Sequence, residues 1–188
     1  ALANSLNETY GGLAAGYHRE GASDWEKYLI VWEELIQILS EKASSYLDYL
    51  CVASAIQLKY SPFEGDEKTK FSDKNYQKAY DLAETVDDLM NLVMNHLDEE
   101  YYQNDELHEK CGRKALEIAE TFEDFASICF DENGDCPFEG KDIFKTAFRK
   151  AIDLAKFSGN YRHLSDSVVD VDDAGEKEWA HKLYKKAE

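Results

Sequence analysis

A length of 188 residues suits one domain or one array of repeats, and 44% hydrophobic with 13% aromatic side chains is too apolar for a disordered tail. Thirty-nine acidic against 21 basic side chains leave a formal net charge of −18. With no dense Lys/Arg stripe to displace counterions from a phosphate backbone, the composition argues against direct nucleic-acid binding. No run reaches the about 18 apolar residues of a membrane span, so no membrane partner is expected.

The chain starts at Ala1 without methionine and stops inside LYKKAE, consistent with an excised or processed piece of a longer protein. No signal peptide leads it, and four cysteines without a CxxC pair demand no oxidising compartment, so a cytoplasmic location is expected. Near the start, YGGLAAGY spaces Tyr10, Leu13, Ala14 and Tyr17 along one helical face. From Asp24 to Ser61 neither Gly nor Pro occurs. Tyr28, Leu29, Val31, Trp32, Leu35, Ile36 and Leu39 recur there with a helical period. The pattern predicts two helices divided at Ser44–Ser45, with one long helix as the alternative.

Beyond this the chain repeats itself. KAYDLAET (Lys78–Thr85), KALEIAET (Lys114–Thr121) and KAIDLAKF (Lys150–Phe157) return at intervals of 36 residues. Ala79, Ala115, Ala151 and Ala187 share one column, each after a lysine, and Lys42–Ala43 stands one period upstream. Ala83, Ala119 and Ala155 form a second column; Leu89, Phe125 and Tyr161 a third; Leu92, Ile128 and Leu164 a fourth. A fixed interval of this size marks a stacked array, in which each layer presents the same packing face to the next. Thr85 with Asp88, and Thr121 with Asp124, form T-x-x-D boxes suited to capping the helix that follows. Each unit therefore reads as helix, short turn, helix, with units at about 4–40, 41–72, 73–108, 109–144 and 145–188. SPFEGDEKTKFSD, DEEYYQND, DENGDCPFEGKD and DVDDAGE read as polar connectors.

This pattern resembles the tetratricopeptide and Sel1-like repeat families. Ala180, Tyr184 and Ala187 reproduce the second-helix spacing of a tetratricopeptide unit, Phe144, Phe148 and Ala151 match it at two of three positions, and LYKKAE is close to a Sel1-like phrase. Departures are the period of 36, the missing unit-ending proline, and Gly112 in place of an aromatic. The resemblance implies an all-α fold, a right-handed α-α superhelix of helix-turn-helix repeats.

Catalytic motifs are absent: GxSxG, HExxH, GxxxxGK[ST] and GxGxxG do not occur, and no cofactor is implied. His108 and Cys111, three apart, offer two zinc ligands without a second pair. Asp87–Asp88 and Glu99–Glu100 are adjacent carboxylates in a chain rich in them, and capping explains the first pair. In DENGDCPFEGKD, Asp131, Asn133, Asp135, Glu139 and Asp142 fall at positions 1, 3, 5, 9 and 12 of a calcium loop. Cys136 stands where such a loop needs glycine, and Asp142 where it needs glutamate. The alternative is a shared structural turn, since PFEG recurs at Pro62–Gly65 without the acidic lead, with Phe63 and Phe138 tucked over the unit ends. Tyr46, Tyr49, Tyr60, Tyr101 and Tyr102 are either binding anchors or half-buried packing residues.

The expected function is a non-enzymatic interaction module binding a peptide or protein segment, favouring one with exposed Lys or Arg. The alternatives are an acidic nucleic-acid mimic that inhibits a basic protein, and a calcium-responsive structural domain.

Overall fold

The computed structural model describes residues 25–57, 63–99, 102–131, 136–168 and Lys185. The described chain is all-α, apart from one pair of two-residue strands at Asp98–Glu99 and Tyr102–Gln103. It divides into two compact units, residues 1–83 with 99–102, and residues 84–98 with 103–188.

The first unit holds three helices, α1 (Trp25–Lys42), α2 (Tyr46–Gln57) and α3 (Gly65–Leu82). The predicted break is present: α1 stops before Ser44–Ser45, and the Ser45 hydroxyl accepts from the Asp48 backbone N–H at 3.3 Å. The Asp48 carboxylate accepts in return from the Ser44 and Ser45 backbones. These reciprocal bonds satisfy N–H groups that have no partner inside the helix, which is why two serines end one helix and start another. Trp32 and Ile36 of α1, Val52, Ala55 and Ile56 of α2, and Phe63 form the core, with Leu35, Leu39 and Phe71 at its edge.

The polar stretch GDEKTKFSD is helix, not connector: α3 begins at Gly65, immediately after the Phe63–Glu64 step. Gly65 takes the left-handed conformation at φ +52°, which side-chain-bearing residues resist. Asp66 and Glu67 then place negative charge at the positive end of the new helix. What the helix buries is partly polar. The Gln57 amide donates to Ser72 Oγ at 2.6 Å, Ser40 Oγ to Asn75 Oδ1 at 3.0 Å, and Asn75 Nδ2 to the Phe71 carbonyl at 2.8 Å. With partners, buried Ser72 and Asn75 avoid the roughly 1–3 kcal/mol that an unsatisfied polar group costs.

The second unit begins with α4 (Val86–Leu92), which widens into a π-helical turn at Val93–Leu97. Then follow α5 (Asp105–Ile118), α6 (Phe122–Cys129), α7 (Asp142–Leu154) and α8 (Ser158–Val168). Both predicted T-x-x-D boxes form. Thr85 Oγ1 accepts from the Asp88 N–H and Thr121 Oγ1 from the Asp124 N–H, each at 3.1 Å, while both carboxylates bond back to the threonine N–H. At the fourth turn only half of the box remains: Asn160 Oδ1 accepts from the Lys156 and Phe157 backbones, and Phe157 has no side-chain acceptor to offer.

Turns of this kind join α1 to α2, α3 to α4, α5 to α6 and α7 to α8 along the described chain. Thr85, Thr121 and Phe157 are 36 apart, but Ser45 lies 40 before Thr85. The placement of Ala43 in the Ala79 column is therefore corrected. Ala43 N–H bonds to the Leu39 carbonyl as Ala83 N–H bonds to that of Ala79, so Ala43 belongs with Ala83, Ala119 and Ala155. A four-residue offset preserves helical facing, which is why it is easily misread from spacing. Ala79, Ala115 and Ala151 are fully buried, as are Leu92, Ile128 and Leu164.

Tyr76, Gly112 and Phe148 share one buried column. Where Gly112 leaves a gap, Phe138 fills it from the turn before α7, fully buried and with its ring 4.8 Å from that of His108. A Cβ on Gly112 would meet Phe138 Cζ at 2.5 Å and Cε1 at 2.7 Å. The second PFEG phrase thus does what the first does. Phe63 stacks on Phe71 at 5.1 Å, and each phrase ends in a left-handed glycine, Gly65 or Gly140. Phe130, Phe144 and Phe148 complete the core beside α7, with ring centroids 5.5–6.2 Å apart.

Candidate functional site

One concavity among the described residues lies along α3 in the first unit. Asp66, Glu67, Lys70, Phe71 and Lys74 line a shallow, open depression of about 500 Å³. Helical spacing brings these side chains to one face. Phe71, half-buried and backed by Phe63, supplies an aromatic floor, and Lys74 Nζ sits 6.0 Å from its ring centre. Lys68 leaves this face to donate to the Gln57 carbonyl at 3.1 Å, and burial lowers its pKa. An aromatic floor with carboxylates at one end and ammonium groups at the other can hold a charged extended segment by its aliphatic and ionic parts together.

The residues singled out from sequence do not gather there. Asp142 is the exposed first residue of α7, Glu139 is exposed and Asp131 half-buried, whereas Asn133 and Asp135 lie outside the described residues. Pro137–Gly140 is a turn whose Phe138 is committed to the core. His108 and Cys111 lie one turn apart on α5, both buried. Burial pushes the Cys111 thiol up to about 12, with Lys114 pulling weakly the other way, so it packs as a neutral, small hydrophobe. Among the described residues no three His, Cys, Asp or Glu side chains are grouped to hold a metal ion.

Tyr46 is buried and Tyr49 half-buried, as packing residues are; Tyr60 and Tyr101 lie outside the described residues, as does the Tyr102 side chain. Asp88 is occupied by its capping box. The equivalent Asp124 feels burial first, which raises its pKa, but hydrogen bonds from Glu120 and Thr121 prevail and hold it below its ordinary value. Asp48 behaves alike: burial works upward, the Ser45 and Ser44 hydrogen bonds prevail, and its pKa falls.

Sequence reasoning missed a charge asymmetry. From Lys141 to Val168 there are six Lys or Arg against Asp142, Asp153 and Asp166, in a chain whose net charge is −18. Summing charge by hairpin, not over the whole chain, would have found it.

No helix among the described residues is long and apolar enough to cross a membrane. The chain matches no protein-family model, and no curated protein or solved structure is significantly similar to it.

Proposed function

We propose that this chain is a non-enzymatic interaction module, a tetratricopeptide-like right-handed superhelix of helical hairpins that binds a peptide or protein segment bearing Lys or Arg. The observation that supports this reading is the recurrence of the same reciprocal turn, or half of it, at four helix junctions. Helical units, where they stack in an array, build extended surfaces suited to binding. The depression on α3 is the favoured place of contact. A basic side chain of the partner would lay its aliphatic stem on Phe71 and pair with Asp66 or Glu67.

The test is selection from a random peptide library at physiological salt, followed by calorimetry on the enriched sequences. The proposal expects a saturable, one-to-one complex with a Lys- or Arg-bearing peptide, weakened by Asp66→Lys with Glu67→Lys. A library yielding no saturable binder, or a binder indifferent to that double change, argues against this site.

A further inference from the structure

Six large hydrophobic side chains are conspicuously exposed among the described residues, and their placement is uneven. Ile30, Val31 and Ile38 of α1 are 58%, 63% and 47% exposed, and Leu47 in the first turn of α2 is 56% exposed. The three on α1 lie on the side away from buried Trp32 and Ile36, with exposed Glu34 and Glu41 among them. The most exposed of all is Phe157, at 73%. It stands where the other turns carry Ser45, Thr85 and Thr121, so at this turn the capping hydroxyl is replaced by an aromatic ring in solvent. A local rule broken without a local gain marks a place shaped by something else. Its flanks reverse charge as well: Lys156 replaces Glu84 and Glu120, and Arg162 is exposed on the first turns of α8.

We propose that the chain associates head to tail with a second copy of itself, Phe157 and its basic flanks docking on the acidic, apolar outward face of α1. Charge complementarity selects the occupant. Residues 25–57 hold five Asp or Glu against two Lys, while residues 141–168 hold six Lys or Arg against three Asp. Each surface presents exposed apolar side chains together with charge opposite in sign to the other's. The contact is heterologous, because two different surfaces meet, so association continues beyond a dimer unless the rotation closes a ring. At physiological ionic strength the Debye length of about 8 Å screens the long-range repulsion between two acidic molecules but leaves touching ion pairs intact.

The experiment is sedimentation velocity on the full chain from micromolar to millimolar concentration, with circular dichroism confirming the fold of each variant. Wild type is expected to gain mass with concentration. Phe157→Ser and Val31→Asp, both at exposed positions, should each weaken self-association by at least about tenfold. Mixed together, the two variants should form a heterodimer that grows no further, since each retains one intact surface. The proposal is overturned if wild type stays monomeric throughout, if either variant associates as wild type does, or if the mixture of monomeric variants forms no pair.

Discussion

Gly112 is the position where local preference and tertiary packing oppose each other most directly. Replacing a mid-helix glycine by alanine ordinarily stabilises a helix by about 1 kcal/mol. Here the added methyl would stand 2.5 and 2.7 Å from two carbons of the Phe138 ring and 3.0 Å from Ile143 Cδ1. The ring has nowhere to retreat, being fully buried with His108 against it. Overpacking of this severity costs roughly 2–3 kcal/mol, so Gly112→Ala is expected to lose about 1–2 kcal/mol net. Phe138→Ala alone loses about 3–5 kcal/mol. In the Phe138→Ala background the ring collision is gone and only the 3.0 Å approach to the end of the Ile143 side chain remains, so Gly112→Ala should then stabilise by up to ~1 kcal/mol. The assay is urea denaturation of the four proteins of this cycle, followed by circular dichroism. A change of sign between backgrounds supports the packing described, with a coupling of about 2 kcal/mol. If Gly112→Ala raises the urea midpoint in the wild-type background too, the ring is not where the argument places it.

The turns yield further expectations. Thr121→Ala should cost about 1 kcal/mol, read as a lower urea midpoint, whereas Phe157→Thr should restore a full cap and raise the midpoint while weakening self-association. Acid should act through the same groups. Because the folded values of Asp48 and Asp124 lie below the ordinary carboxylate range, their stabilisation is complete above about pH 4 and is lost as pH falls through the folded values. Asp124→Asn should therefore flatten the acid limb of a midpoint-against-pH curve, and an unchanged limb would contradict the capping assignment. Thiol labelling at neutral pH, read by mass spectrometry, should reach half-buried Cys136 first and spare buried Cys111 and Cys129 until the protein unfolds.

Much of the fold was legible because turns are written locally. Ser44–Ser45 and the two T-x-x-D boxes each place a hydroxyl and a carboxylate three residues apart, and that spacing is itself the bond pattern. The interval of 36 was equally open to view. What could not be read depends on residues distant in sequence. The ring that fills the gap over Gly112 comes from Phe138, 26 positions on. The start of α3 was hidden because its inward face carries Ser72 and Asn75, whose burial is tolerated only through partners at Gln57 and Ser40. Phe157 at a capping position and the basic stretch 141–168 were both visible letters. The first was absorbed into the repeat, and the second was lost in the charge of the whole chain.

The claim at the centre of this account is that a Lys- or Arg-bearing segment binds one built surface on α3 and not the acidity of the chain at large. The direct measurement is backbone amide chemical-shift mapping during titration with an enriched peptide, at physiological and at molar salt. The account predicts saturating shifts confined to a contiguous face that includes α3 around Phe71, persisting in part when the Debye length shrinks to about 3 Å. Small shifts scattered over the acidic side chains of every helix and abolished by salt would contradict it.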